Sequence, residues 1–411
     1  MLDPRRALAD LKALRELTGD ENGAQRVAFT PVWQRARDWF RDQLEGLPVE
    51  VKRDPAGNVW VTLPGRDPRA VLIGGHIDSV PNGGWLDGCL NLLAGLEVLR
   101  ALHAEYGENL PLTVRLVDWA DEEGARFGKS LFGSSACSGH LDVEEARRLV
   151  DREGMRLPDV LQSCGIDLDR ALEARAELQN AAAYVELHVE QGPVLLDLDL
   201  PLGAVLGTFG VERHAITFHG QAAHSGSTPM ERRRDAFLAA ARMSPEIYAI
   251  CQRRGGVGTI GSCRTLPGIV TSVVAECRIT LDQRHLDAAA LAAMHREAVE
   301  ASERFAREAG VRVEWERLWA IDPILFHPEL IELADEAIRE TCGRSHRLPS
   351  GPLHDAAEVA RAGVPTVMLF VQSLHGISHN KIEDTREEHI LDSVRALDRL
   401  VRKTMDWVKG C

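Results

Sequence analysis

Short apolar runs alternate with helical patterns along most of the chain. The runs 71–75, 113–117, 184–187 and 365–370 have the length of buried strands, and all contain β-branched residues. Between the first two runs, leucine and alanine recur at helical spacing over 90–99. This alternation predicts an α/β fold, which we expect to be built on a mixed sheet.

A different pattern begins near residue 207. Residues 215–219 and 276–281 alternate between apolar and polar positions, as strands with one buried face do. A long helical pattern follows each of them, over 235–251 and over 287–309. This order predicts a smaller α+β domain inserted into the larger one. The predicted boundaries are 1–206 and 321–411 for the two parts of the larger domain and 207–320 for the insertion.

The charge and cysteine content narrow the class of protein. The chain has 48 basic and 62 acidic residues, which gives a formal net charge of −14 and argues against nucleic acid or an anionic membrane as partner. Its eight cysteines lack zinc-finger spacing, so we expect reduced thiols. No apolar signal core precedes the first helical pattern, and no apolar run is long enough to span a bilayer. We therefore expect a soluble, cytoplasmic protein.

The segment after the first apolar run carries the strongest chemical signal. His76 and Asp78 are two residues apart at a strand end, so their side chains face the same way. We expect the Asp78 carboxylate to hold the far ring nitrogen of His76 and to fix the tautomer that binds metal. Asp87 follows on a glycine-rich loop that can bend back to the same point. Taken alone, a His-x-Asp pair is more often an ordinary polar strand end.

Further polar segments follow other predicted strands. Glu122 and Glu123 are adjacent carboxylates that point in different directions, so one can bind a metal while the other acts on a water. His188 lies in an apolar strand, and His379 follows the last predicted strand. Singly, an acidic turn is more often solvated, and a histidine is more often packed or capped than a ligand.

Together these residues have the composition of a catalytic metal centre. If Asp87 bridges, each of two ions receives three protein ligands and keeps an open position, which is the catalytic arrangement. Two such ions can share a nucleophile and polarise a carbonyl, and Glu122 would move the proton. Mixed imidazole and carboxylate ligands suit Zn, Mn, Co or Ni about equally well. The predicted ligands for two divalent ions per subunit are His76, Asp87, Glu123, His188 and His379.

In this order, the motifs resemble those of the dinuclear metal aminoacylase/carboxypeptidase superfamily. Within it they resemble the branch of N-carbamoyl-L-amino-acid hydrolases, β-ureidopropionases and allantoate amidohydrolases. The resemblance covers nearly the whole chain. The segments that carry it are 80–84, 122–127, 186–193, 221–230 and 376–379.

The resemblance implies a role for each residue of the centre. Asp87 would bridge, His76 and His188 would complete one metal site, and Glu123 with His379 would complete the other. Glu122 would be the general base and acid. The inserted domain would pair two subunits into a homodimer and close over the active site as a lid.

The resemblance also implies which residues bind the substrate. His224 would come in with the lid and donate to the tetrahedral oxyanion. Arg284 matches a lid arginine that pairs with the substrate carboxylate, and Gln191 would line the pocket. Two positions depart from the family pattern: Thr271 stands where asparagine is usual, and Leu353 where glycine is usual. The residues that would bind the substrate carboxylate, which we call the carboxylate clamp, therefore differ from the family pattern at these two positions.

These features favour a metal-dependent amidohydrolase with a small, carboxylate-bearing substrate. An N-carbamoyl-L-amino acid is the leading expectation. The alternatives are an allantoate or β-ureido acid amidohydrolase, or an N-acyl amino acid deacylase or dipeptidase. A catalytically dead dimeric binding module would not need the complete ligand set.

Overall fold

The computed structural model describes residues 1–411 and contains seventeen strands. In chain order, β1 to β17 are Gly19–Asp20, Gly23–Ala24, Glu50–Arg53, Val59–Leu63, Asp67–His76, Leu112–Trp119, Ala181–Val189, Leu202–Thr208, Gly210–His219, Ala223–His224, Val257–Leu266, Ser272–Val273, Glu276–His285, Arg312–Ile321, Ile324–Leu325, Arg347–Ser350 and Thr366–Val371.

Twelve α-helices and four 3-10 helices complete the secondary structure. In chain order, α1 to α12 are Pro4–Thr18, Pro31–Asp42, Cys89–Tyr106, Phe132–Ser138, Val143–Ala146, Leu157–Ser163, Val194–Asp197, Ala236–Arg254, Ala288–Ala309, Pro328–Cys342, Asp355–Arg361 and Glu387–Gly410. The 3-10 helices are Gly107–Asn109, Leu168–Leu178, Met230–Arg232 and Leu374–Gly376.

Side-chain caps explain where several helices begin. Asp3 accepts a hydrogen bond from the Arg5 amide at the start of α1. Pro4 is the first residue of the helix, a position where an N–H group would have no partner within the helix, so its missing N–H costs nothing. Asp287 caps α9 in the same way. The helix ends at Gly310, whose φ of 63° is readily adopted by glycine.

The larger compact unit comprises residues 1–207 and 326–411. Its central sheet runs in the order β8-β17-β7-β5-β6-β4-β3, with β16 also beside β8. The four strands from β17 to β6 are parallel, while β8 and β4 join them antiparallel. The carboxyl ends of the parallel strands therefore meet at one edge, where open α/β sheets bind ligands.

The helix α3 lies in the core of this unit. It is apolar around most of its circumference, and nearly all of its residues are buried. It starts at Cys89, two residues after Asp87, so the packing of α3 against β5 and β6 places Asp87 near the strand ends. The fold therefore fixes the position of the glycine-rich loop.

The smaller compact unit comprises residues 208–325. Its antiparallel sheet has the order β11-β13-β9-β14, and α8 and α9 pack against it around a separate core. Along β13 every second residue is buried, which is the alternation that the sequence predicts. The short strand β10 pairs separately with β12. The predicted fold class, a mixed-sheet α/β domain with an inserted α+β domain, is confirmed.

Two further features concern the whole chain. None of the helices combines the length and the apolar character that a membrane crossing requires. All eight cysteines are free thiols.

Candidate metal centre and active site

The predicted ligands of the larger unit lie together at the carboxyl ends of its parallel strands. His76 ends β5, and His188 lies one residue before the end of β7. Asp87 reaches them because the next residue, Gly88, has a φ of 66° and no side chain. A Cβ atom at Gly88 would lie 2.3 Å from the His76 carbonyl oxygen. Only glycine allows this close approach.

Asp87 divides its carboxylate between two groups of side chains. Its Oδ1 lies 3.0 Å from His188 Nε2 and 3.6 Å from His76 Nε2. Its Oδ2 lies 3.5 Å from His379 Nε2, which is 3.2 Å from Glu123 Oε2. In each group of three, the potential ligand atoms lie within 4.8 Å of one another. Asp87 therefore belongs to both groups, each of which could hold a metal ion.

Backbone carbonyls fix the imidazole rings of the first group. The Nδ1 atom of His188 lies 2.8 Å from the carbonyl oxygen of Val189, and that of His76 lies 3.1 Å from the carbonyl oxygen of Asp78. Each Nδ1 therefore donates a proton, which leaves Nε2 as the nitrogen available to a metal ion. The hydrogen-bonding partner of a metal-binding histidine commonly has this role.

The prediction for the Asp78 carboxylate is wrong. Its Oδ1 lies 3.7 Å from His76 Nδ1, which is too long for a hydrogen bond. Its two oxygens instead accept the amides of Glu122 and Glu123, each at 3.2 Å. The chain turns after β5, so the backbone carbonyl of Asp78, rather than its side chain, meets the ring. Asp78 thereby holds the acidic turn in place.

The electrostatics of the centre fit a cation. The Nε2 atom of His76 and the Oε1 atom of Glu123 are buried and make no hydrogen bond within the chain. Burial raises the pKa of Glu123 well above its ordinary value, and the charges of Asp87 and Asp78 add to this effect. Burial also opposes ionisation of Asp87, but the neighbouring histidines outweigh it and lower its pKa. Unpaired nitrogen and oxygen donors of this kind match a divalent ion.

Glu122 is buried beside this centre. Its Oε2 lies 3.7 Å from His76 Nε2. Burial, followed by the charge of Glu123, raises the pKa of Glu122 well above its ordinary value. A carboxyl group with a raised pKa can both take up and release a proton near neutral pH. This environment suits the role predicted for Glu122.

Gln191 lies against the second group, as expected for a residue that lines the pocket. Its Nε2 donates to Asp87 Oδ2 at 2.9 Å and lies 3.3 Å from both Ser378 Oγ and His379 Nε2. His379 is the exposed member of the two groups. This side of the centre is therefore accessible to solvent.

Sequence reasoning missed Glu383. Its Oε1 accepts the amides of Leu86 and Asp87, each at 3.1 Å, and its Oε2 accepts the Ser378 hydroxyl. Glu383 thus joins the loop that carries Asp87 to the segment that carries His379. No local motif marks it, because the two amides that it accepts lie almost 300 residues away in the chain.

Asp118 and Arg37 were also missed. Asp118 accepts the Ile77 amide at 2.9 Å, and its Oδ2 lies 2.6 Å from Arg37 Nε in a buried ion pair. This pair holds the backbone between His76 and Asp78. Asp118 follows an apolar run, Thr113–Val117, which is the one signal that could have identified it.

The remaining predicted residues are divided between the two units. His224, Thr271 and Arg284 belong to the smaller unit. The Arg284 guanidinium forms a two-point contact with Asp282, at 2.8 and 3.3 Å. Leu353 belongs to the larger unit and lies, half-buried, in the loop before α11.

Comparison with known proteins identifies the family. Residues 72–403 match the model of the peptidase family M20/M25/M40. The chain belongs to this family. This M20/M25/M40 protein is 36% identical to the N-carbamoyl-L-amino acid amidohydrolase of Geobacillus stearothermophilus, over 89% of the chain and 90% of that relative. It is 31% identical to the allantoate amidohydrolase of Escherichia coli strain K12, over 94% of each chain.

Solved structures agree with this assignment. An amidase of the hydantoinase/carbamoylase family from Burkholderia multivorans matches the M20/M25/M40 chain with a TM-score of 0.87 and 31% identity. The match covers 97% of each chain. The family and branch predicted from the motifs are therefore confirmed.

Proposed function

We propose that the protein is a two-metal amidohydrolase that cleaves the C–N bond of an N-carbamoyl-L-amino acid. The observation that carries this proposal is the division of the Asp87 carboxylate between two groups of potential ligands. We infer the carbamoyl group of the substrate from the name of the relative that is 36% identical over most of both chains. Zn, Mn, Co and Ni all suit the donor set.

Each residue of the centre has a chemical role in this proposal. Two divalent ions would polarise the scissile carbonyl and activate a water molecule. Glu122 accepts the proton of that water and passes it to the leaving nitrogen. Asp78 keeps Glu122 in place through the amide hydrogen bonds of the acidic turn. Burial of Glu122 excludes bulk water from the proton transfer.

The smaller unit would supply the groups that bind the substrate. His224 donates to the oxyanion, and Arg284 pairs with the substrate carboxylate. The two-point contact between the Arg284 guanidinium and the Asp282 carboxylate supports this pairing, because a substrate carboxylate can be bound in the same way. Replacing Arg284 with lysine should therefore reduce activity, because a point charge cannot replace the fork.

We also propose a homodimer formed through the smaller unit. The strand β11 is an edge strand, and apolar side chains at and after its ends are exposed: Val257, Leu266, Ile269 and Val270. An exposed edge of this kind favours pairing with a second copy. A cytoplasmic location and the absence of a nucleic-acid partner remain predictions from cysteine usage and net charge. Light scattering tests the dimer, and a monomeric mass would contradict it.

Allantoate or a β-ureido acid is the second candidate substrate. The allantoate amidohydrolase of Escherichia coli is 31% identical over 94% of each chain, which favours this candidate. Thr271 and Leu353 also change the predicted carboxylate clamp relative to the family pattern. Thr271→Asn combined with Leu353→Gly should therefore raise kcat/KM for simple N-carbamoyl-L-amino acids.

A substrate screen distinguishes these functions. The metal-reconstituted enzyme is supplied with N-carbamoyl amino acids, allantoate, β-ureido acids, N-acyl amino acids and dipeptides. Amine and ammonia release are both measured. Hydrolysis of a carbamoyl or ureido substrate releases ammonia together with the amine, whereas a dipeptide releases no ammonia. Amine release from dipeptides alone would contradict the proposal, and so would no turnover of any substrate.

A further inference from the structure

The His224 ring is held by the turn that follows it. Its Nδ1 accepts hydrogen bonds from the amides of Gly226 and Ser227, at 3.1 and 3.2 Å. The Thr228 amide donates to the His224 carbonyl oxygen at 3.1 Å and closes the turn. Because Nδ1 accepts, the proton of the neutral ring lies on Nε2. That nitrogen makes no hydrogen bond within the chain.

One side chain holds both ends of this turn. Arg233 donates from Nε to the Thr228 carbonyl oxygen at 3.1 Å and from Nη2 to the Ser225 carbonyl oxygen at 2.5 Å. The Ser225 amide donates in turn to the Thr271 carbonyl oxygen at 3.0 Å, beside the pairing of β10 with β12. The half-buried Arg233 therefore braces the side of the turn that the strand pair does not reach.

We propose that Arg233 is a positioning residue that keeps His224 in the tautomer with its proton on Nε2. This inference rests on the proposed role of His224 as oxyanion donor, because that role requires a ring N–H free to meet the substrate. The guanidinium fork spans two carbonyl oxygens in fixed geometry. Without it, the Gly226 and Ser227 amides lose their alignment with Nδ1, and the ring can carry its proton on either nitrogen.

Nitrogen NMR of the intact zinc enzyme reads the tautomer directly. Histidine-selective ¹⁵N labelling is used, and the His224→Gln spectrum identifies the His224 signals. We expect the wild type to show an acceptor-type Nδ1 and a protonated Nε2. Arg233→Gln should shift both signals toward a mixture of tautomers. A protonated Nδ1 in the wild type, or unchanged signals in Arg233→Gln, would overturn the inference.

Kinetics provide a second readout with a matched control. Arg233→Gln should lower kcat about 10-fold to 100-fold, the range expected from a misplaced catalytic group, and leave KM nearly unchanged. The kcat of Arg233→Lys should lie between those of the wild type and Arg233→Gln, because an ammonium group can reach one of the two carbonyl oxygens. Arg232→Gln is the control, since the exposed Arg232 side chain makes no hydrogen bond or ion pair. Equal losses in the Arg232 and Arg233 variants would contradict the proposal.

A double variant separates positioning from general damage. If Arg233 acts only through His224, then His224→Ala with Arg233→Gln should have the kcat of His224→Ala alone. A further loss in the double variant would contradict that mechanism. Full activity of His224→Ala would refute the proposed oxyanion role, while the NMR result would still report whether Arg233 sets the tautomer.

Discussion

The two units of the chain hold their chemical groups in different ways. In the larger unit, His76, Asp87 and His188 are at most 2% exposed and stand at strand ends fixed by a large core. In the smaller unit, His224 is exposed on a two-residue strand, and its ring is held by a single turn. Variants of these three ligand residues should therefore change metal binding and stability, whereas variants at His224 should change turnover alone.

The largest effect is expected at the residue shared by both groups. Asp87→Ala removes a ligand from each site and leaves His76 and His188 without their common carboxylate. We expect metal content to fall from two ions per chain toward zero and activity to fall to background. Metal analysis after gel filtration measures this, with wild type treated in parallel. An unchanged metal content would refute the predicted ligand set.

Glu122→Gln should separate chemistry from metal binding. Glutamine keeps the shape of the side chain but cannot accept the proton, so we expect kcat to fall by about 10³-fold or more. Metal content and Tm should stay close to those of the wild type, because Glu122 belongs to neither group of ligands. Substantial residual activity would remove Glu122 from the role of base.

His224→Ala tests the smaller unit. Loss of an oxyanion donor should reduce kcat by about 10²-fold to 10³-fold. Both the metal content and the thermal stability should be unchanged, since the exposed ring contributes to neither core. If metal were lost together with activity, the proposed division of roles between the units would be wrong.

The smallest effect is expected in the pH dependence of the folding stability of the metal-free protein. Burial raises the pKa of Glu186 and of Glu383 to about 7. Burial lowers the pKa of His188, but Asp87, with help from Glu186, outweighs it and raises that pKa to about 9. The folded protein therefore binds more protons than the unfolded chain between pH 6.5 and 8. Stability should be lost as pH rises through this range. His76, with its pKa lowered to about 4 by burial, is neutral in the folded protein but partly protonated in the unfolded chain near pH 6.5, so it offsets a part of this effect at the lower end of the range.

Differential scanning calorimetry measures this effect. The chelated protein should have a lower Tm at pH 8 than at pH 6.5, and the metal-bound protein should show a smaller difference because the cations favour ionised carboxylates. A Tm of the chelated protein that rises with pH would contradict the assignment of these buried groups.

Local sequence patterns were sufficient for the elements that carry the centre. His76, Glu123 and His188 are marked by the apolar strands before them, and parallel strands bring their carboxyl ends together. The same patterns do not specify whether the carboxylate or the backbone carbonyl of Asp78 accepts a hydrogen bond from His76. The direction of the backbone after a strand depends on the surrounding packing. Glu383 could not be predicted, since the amides of Leu86 and Asp87 that it accepts come from a distant loop.

In the smaller unit, sequence patterns also fail to predict a contact, although its residues are close together in the chain. The alternation at 276–281 predicts a strand with one buried face, and β13 has this pattern. The contact between Arg233 and the turn after His224 spans five to eight residues, but it depends on how the chain folds back between them. A run of three arginines does not indicate which one faces the turn.

Anomalous diffraction from crystals of the zinc-loaded protein tests the central claim most directly. We predict two zinc peaks per chain, about 3.5–4 Å apart, with one Asp87 oxygen facing each peak. His76 and His188 should lie at the first peak, and Glu123 and His379 at the second. A single peak, or two peaks that do not share Asp87, would contradict the account.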